Sequence, residues 1–221
     1  MASVGKNFIN FVAIGGQNPQ ILNIDFLKNN QIIPLEREPF ATLLAQENPC
    51  KKFVSVPGFT NLVLGDIEFI VDEMRFQLQE NKVSLWSQTT ILEIAKRYYK
   101  VLPYTPLKLV GINLNSTIAF DSLEEAQNCQ KLCLPEDSDI RKIVSADNIS
   151  ASLTLRYPYS TGQGRVTLTI EHPSKENDRR RINLNYEFDF VDWDNFRAEL
   201  DGILEVQEYA NSLFDRLLEA L

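Results

Sequence analysis

An α+β fold, an antiparallel sheet with helices packed on one face, is what this sequence predicts, and three observations predict it. Three runs in the last third alternate apolar and polar residues with the period of a half-buried strand. Helix-period apolar stripes with capping residues interrupt the strand-like runs. Both tryptophans, Trp86 and Trp193, stand where a strand-like run gives way to a helix-like one, so a meander-plus-helix layout is expected twice. At 221 residues the chain reads as a single compact unit, with sub-halves 1–145 and 146–221. That length is enough to bury about 70% of the unfolded surface without staples.

The elements follow in order. Phe8 to Ile14 and Gln20 to Phe26 read as strands of a hairpin, joined through Gly15-Gly16-Gln17-Asn18-Pro19. No Gly-Lys-Ser/Thr follows the two glycines, so a phosphate loop is not expected. Pro39 to Gln46 is a short helix with Pro39 in its first turn. From Phe53 to Trp86 the chain is strand-rich. Ile67, Phe69 and Val71 alternate on one parity and Met74, Phe76 and Leu78 on the other, which places a turn or bulge near Asp72-Glu73. Gln79 to Lys82 reads as a turn into a strand ending at Trp86. A helix follows, with Thr90 and Glu93 at capping-box spacing and Ile91, Leu92, Ala95, Tyr98, Tyr99 and Leu102 on its apolar side. Pro103 stops it.

Leu107 to Phe120 is a long strand with Val110, Ile112, Leu114, Ile118 and Phe120 on one face and Asn113, Asn115 and Thr117 on the other. Ser122 and Glu125 open a helix to about Leu134, and Asp137 to Val144 forms a further short one. Ile149 to Tyr157, Arg165 to Glu171 and Arg181 to Phe190 make an antiparallel meander with one wet face. A terminal helix, with Phe196, Leu200, Ile203, Leu204, Leu213, Phe214 and Leu217 at three- and four-residue steps, covers its dry face.

Chemistry is sparser than architecture. A net charge of −8 argues against general affinity for nucleic acid or anionic membrane. No apolar stretch approaches the roughly 20 residues of a membrane span, and no signal peptide is visible, so a cytoplasmic chain complete at its N-terminus is expected. Cys50, Cys129 and Cys133 read as reduced structural thiols. With one histidine, His172, beside them, no metal site and no cofactor are expected. Cys50 has Lys51 and Lys52 beside it, which would lower a thiol pKa, and His172 is the one candidate for histidine-based catalysis, with surface structure the expected role of that histidine. There is no Gly-x-Ser-x-Gly elbow. Lys175, Arg179, Arg180 and Arg181 flank the last hairpin turn and read as a solvated tip that discourages edge pairing.

From Asp192 to Leu221 eight acidic residues face two arginines, which marks an acidic outer side. Glu205 and Glu208 on that helix, and Glu187 and Asp189 on the wet face of the last strand, are the candidate partner-binding residues. Mixed charge on a flat sheet suits a protein surface with matched charges better than a small apolar ligand or a phosphate backbone. No catalytic residue is assigned.

The run Arg75-Phe-Gln-Leu-Gln-Glu-Asn-Lys-Val-Ser-Leu-Trp86, a helix, and then Leu109-Val-Gly-Ile-Asn-Leu-Asn-Ser-Thr-Ile118 resembles a sporadically distributed, uncharacterised prokaryotic family of α+β proteins. The resemblance covers about half the chain. Asn115-Ser116 stands where that family tends to have Asn-Arg. It implies a soluble α+β protein and no catalytic residues. The function expected is therefore a non-enzymatic protein–protein interaction or adaptor role, with a protein partner or self-association. An enzyme with an unrecognised site is the alternative, and a nucleic-acid binder the second.

Overall fold

Strand β2 (Phe8–Gly15) shows how pattern becomes structure: its residues alternate between half-buried and buried, and Ile9, Phe11 and Ala13 are fully enclosed. The structure, a computed structural model, describes residues 3–4, 8–36, 38–83, 89–131, 151–159, 162–171 and 179–189. The terminal helix, Trp86, Trp193, His172, Cys133 and the short helix expected over 137–144 lie outside the described residues.

The expected strand from Gln20 to Phe26 is not one. Pro19–Ile21 is a 3₁₀ turn capped by Asn18, whose Oδ1 accepts from the Gln20 N–H, and Ile24–Asn29 is helix α1. Asn23 caps α1 by accepting the Phe26 N–H at 2.8 Å. Two asparagine caps thus outweigh a run of β-branched and aromatic residues. The hairpin expected with β2 is absent for the same reason. Gly15 ends β2 against Pro106: a Cβ there would lie 1.9 Å from the Pro106 carbonyl oxygen, and φ is +154°. Only glycine fits that approach.

Helix α2 (Glu38–Leu44) leads into a four-strand meander, β3 (Cys50–Val56), β4 (Phe59–Leu64), β5 (Ile67–Asp72) and β6 (Arg75–Glu80). Its turns are two residues long. Pro57-Gly58 places Gly58 at φ +79°, as a type II turn requires. Gly65 opens the second turn at φ +63°. At the third, the Asp72 carboxylate accepts the Met74 N–H at 2.9 Å, which produces the parity switch expected near Asp72-Glu73.

Helix α3 (Ile91–Val101) buries Ile91, Leu92, Ile94, Ala95, Tyr98 and Tyr99. Tyr98 lies 4.3 Å, centroid to centroid, from Phe76 of β6, and Tyr99 lies 5.5 Å from the same ring. The capping box expected at its start does not form. Thr90 makes no side-chain cap; the Glu80 carboxylate at the end of β6 accepts from the Thr89 hydroxyl at 2.5 Å and the Thr90 N–H at 3.2 Å. Glu93 instead pairs with Arg97, which also holds Glu36 and the Gln31 carbonyl. Burial alone would lower the Arg97 pKa, but the hydrogen bonds and charges of Glu36 and Glu93 together outweigh it and raise it.

Strand β7 (Leu107–Ala119) is the long one expected, and the serine half of the second capping box forms: Ser122 accepts the Glu125 N–H at 3.1 Å, while Glu125 reaches back one residue further and accepts the Asp121 N–H at 3.2 Å. Helix α4 spans Leu123–Lys131. The final meander is β8 (Ala151–Tyr159), β9 (Gly162–Glu171) and β10 (Arg179–Asp189).

The protein is α+β, and every described strand pairing is antiparallel. The sheet runs β3-β4-β5-β6-β2-β7-β10-β9-β8, with the short β1 (Ser3–Val4) beside β7. The central β2–β7 pair joins the two meanders, so the register carries a single row across all nine strands: Phe53, Leu62, Phe69, Leu78, Phe11, Ile112, Tyr186, Val166, Leu155. From Phe53 to Ile112 that row marks the apolar face, on which α3 packs. Among the described residues no helix is long and apolar enough to cross a membrane.

Candidate interaction surface

The opposite face of the sheet is a ladder of amides and hydroxyls. Its register runs Glu68, Gln79, Asn10, Asn113, Asn185, Thr167, Thr154 across seven strands. Asn113 donates to Asn10 Oδ1 and Asn183 to Asn115 Oδ1, both at 2.8 Å, so the amides bond one another across strands. Gln77 donates to Gln79 and Gln79 to Asn81 along the same face. Much of this face is committed to bonds within the chain.

The four residues expected to bind a partner are not gathered into one described site. Glu187 sits on this face of β10, half-buried, in register with Gly111 on one side and Arg165 on the other, and it is already engaged within the chain. Asp189 ends β10 opposite Leu109 and Gln163. Glu205 and Glu208 lie outside the described residues.

Two further expectations are corrected. Arg180 is not part of a solvated tip: it is fully buried, in register with Ile118 of β7. Its parity on β10 is that of Ile182 and Leu184, so alternation carries it to the apolar side, where a guanidinium is kept only by being engaged. Arg181, on the other parity, is exposed. Cys50 is not activated by its lysine neighbours. Desolvation raises its thiol pKa, and the opposing cation is Lys28 rather than Lys51 or Lys52.

A cleft of about 440 Å³ lies between Gly16–Asn18 and Val101–Thr105. The Gln17 amide borders it, accepting from the Tyr99 hydroxyl at 3.4 Å, and Tyr104 stands at its rim almost wholly exposed. Among the described residues its lining holds no carboxylate, amine, imidazole or thiol, so it offers a neutral, mostly apolar recess whose one ionisable side chain is the exposed Tyr104 phenol. Among the described residues no three His, Cys, Asp or Glu side chains converge as metal ligands.

Among the residues whose burial is described, the edge strand β3 departs most from its surroundings. Every residue from Lys51 to Val56 is exposed, on both faces of the sheet. Three of them are apolar: Phe53 is 52% exposed, Val54 41% and Val56 50%. The reason is topological. β3 has β4 on one side and no described strand on the other. Val56 and Phe59 close the Pro57-Gly58 turn, and hydrogen-bonded pairs alternate from there. Val56, Val54 and Lys52 therefore bond β4, and the N–H and C=O of Phe53 and Ser55 point away from it. The Ser55 hydroxyl lies 3.1 Å from that of Thr60, which in turn donates to the Pro19 carbonyl at 2.8 Å and pins β4 to the 3₁₀ turn.

Charge guards only one end of this edge. Lys51 and Lys52 precede the apolar stretch, a bulge separates Cys50 from Lys52, and Lys51 reaches Asp66 at 3.5 Å in an exposed pair. Beyond them Phe53 to Val56 carries no charge. The sequence places Phe53 onward in a strand-rich stretch, but adjacent apolar residues beside two lysines show no period that would mark a face or an edge. Edge status follows from sheet order, which local pattern does not encode. No family model matches this sequence, and no curated protein is detectably similar to it.

Proposed function

We propose that this is a non-enzymatic interaction protein whose docking element is the β3 edge. The observation that supports the reading is a seven-residue edge strand with all but its first residue exposed and with Phe53, Val54 and Val56 left in water. A free strand edge offers unpaired N–H and C=O groups as a template for an added strand, and flanking apolar side chains give that strand something to bury. The interior strands are paired on both sides and the amide face bonds largely to itself, so the β3 edge can take new contacts without breaking old ones.

The test is a photo-crosslinking phenylalanine analogue at position 53, in the full chain, inside the cells that make it. Capture of one defined species, lost when Ser55→Pro is added, is the expected outcome. Proline at 55 removes an outward N–H and no backbone bond to β4, giving up on that side only the hydroxyl contact with Thr60. Capture that is unchanged by Ser55→Pro, or that occurs only from an analogue on the amide face at position 77, would refute the edge as the docking element.

A further inference from the structure

We infer that the strand added at this edge is β3 of a second copy of the chain, paired antiparallel about a two-fold axis through Val54. The inference rests on the interaction reading above and names its occupant.

The register follows from what limits β3 at each end. On one side a bulge falls between Cys50 and Lys52. On the other Pro57 has no N–H and the chain turns. The regular stretch between them is Lys52 to Val56, and its middle residue is Val54. In antiparallel pairing about that point, Lys52 faces Val56 of the second copy, Phe53 faces Ser55, and Val54 faces its own image. Phe53 and Ser55 are the residues whose backbone groups point outward, so they form the two hydrogen-bonded pairs, and about four new backbone bonds result. Shifting the axis to Phe53 would instead set Ser55 against Lys51, inside the bulge, where the ladder is disrupted.

The side chains are self-complementary in this register. On the apolar side the two Phe53 rings are diagonal neighbours, at a spacing of about 7–8 Å that aromatic side chains span. They cover the half of each ring now in water. On the other side Val54 meets Val54, and the aliphatic stem of Lys52 lies over the exposed Val56. No lysine faces a lysine. Each exposed apolar residue of β3 acquires a partner, and the apolar face continues from one sheet into the next.

Charge also favours a second copy over an arbitrary neighbour. The chain as a whole is acidic, and two such chains repel over most of their surfaces. Beside the β3 edge that repulsion is offset locally, because Lys51 and Lys82 both approach Asp66 at 3.5 Å and Lys52 adds a further positive charge on the strand. A contact of this size buries less than the roughly 1,200 Å² of a standard interface, so the dimer is of the weak, reversible class.

The experiment uses single cysteines at positions 53, 54 and 55, each in the full chain with Cys50, Cys129 and Cys133 replaced by serine. In the inferred register the two position-54 Cα atoms are about 4.5 Å apart, as in any non-hydrogen-bonded pair, within the disulfide range of about 4.4–6.8 Å. Those of positions 53 and 55 are each two residues further along and about 8 Å from their images, beyond the roughly 7 Å limit. Mild oxidation is therefore expected to give a covalent dimer of V54C at least about tenfold faster than of F53C or S55C.

Sedimentation velocity on the unmodified chain, from about 10 μM to 1 mM, keeps the inference testable if a cysteine variant does not fold. The wild type is expected to shift toward a dimer with concentration and Ser55→Pro to remain monomeric. Crosslinking at 53 in place of 54, equal crosslinking at all three, or a wild type that stays monomeric throughout would overturn the self-pairing. If self-pairing fails while the position-53 analogue still captures a different protein in a Ser55-dependent way, the interaction reading stands and only its occupant changes. If both fail, the edge has no docking role.

Discussion

Phe69 and Phe53 lie in the same cross-sheet row, two strands apart, on the same face, and one is wholly enclosed while the other is half in water. Residue type and parity are the same. What differs is the neighbourhood. Phe69 has β4 and β6 on either side and the Phe76 ring 6.4 Å away. Phe53 has Leu62 on one side only. Enclosure is thus decided by a strand's place in the sheet order, and the period-two pattern only selects the face. The sharpest way to break this comparison is at Phe69. Phe69→Ala is expected to cost about 3–5 kcal/mol, read as a lower urea midpoint with unchanged slope. A loss below about 1 kcal/mol would mean that the interior of this meander is as loose as its edge.

The polar ends of the two strands differ in the same sense. Glu80, at the end of interior strand β6, holds the first turn of α3 through the Thr89 hydroxyl and the Thr90 N–H. Lys51, at the start of edge strand β3, reaches Asp66 in a pair exposed at both ends. Glu80→Ala leaves an uncapped helix and is expected to cost about 1–2 kcal/mol. Lys51→Ala is expected to change stability by less than about 0.5 kcal/mol, because exposed pairs gain little over water. Equal effects in thermal melts of the two variants would show that Glu80 is not the cap.

Interior packing also carries a defect that the edge does not. The Tyr98 hydroxyl is buried and has no hydrogen-bond partner among the described residues. Desolvation raises the pKa of Tyr98 and of Tyr99, with the neighbouring Tyr98 adding to the shift of Tyr99. The folded state therefore holds these protons more tightly than the unfolded chain does. Stability from this source is complete below the unfolded tyrosine value of about 10 and falls as pH rises past it. Tyr98→Phe is expected to stabilise by about 1 kcal/mol at neutral pH and to flatten the alkaline fall. Melts between about pH 8 and 11 check both, and a destabilised Tyr98→Phe would reveal a partner for the hydroxyl.

What was legible in the sequence divides along similar lines. Strands with neighbours on both sides wrote their faces into the pattern: Val110, Ile112, Leu114 and Ile118 on β7 are buried, and Asn113 bonds Asn10 on the opposite face. Even the burial of Arg180 was implicit in its parity, although charge argued for solvent. Local caps were legible where donor and acceptor are close in sequence, as at Ser122 and Glu125. The Asn18 and Asn23 caps were equally local, but an apolar run of strand-forming residues masked them. Contacts made by sheet order were not legible. Glu80 caps a helix ten residues on only because β6 ends beside it, and β3 is exposed only because it comes last in the row. Glu187 was chosen for its charge on a wet face, yet register and burial give it a role inside the sheet.

The smallest expected effect on stability belongs to Phe53 itself. A ring that is half in water and flanked on one side only loses little when it is replaced, so Phe53→Ser is expected to change the unfolding free energy by less than about 0.5 kcal/mol. Its effect on association runs the other way. Serine keeps the outward N–H and C=O but removes the largest apolar group of the edge, so the added strand keeps its hydrogen bonds and loses its main buried area. Phe53→Ser should therefore separate two quantities that Phe69→Ala changes together, leaving the urea midpoint in place while abolishing concentration-dependent sedimentation. If the midpoint falls by as much as it does for Phe69→Ala, Phe53 belongs to the core and its exposure is not a docking feature. If neither quantity changes, association does not depend on the apolar side chain of Phe53, and the docking role given to it is overturned.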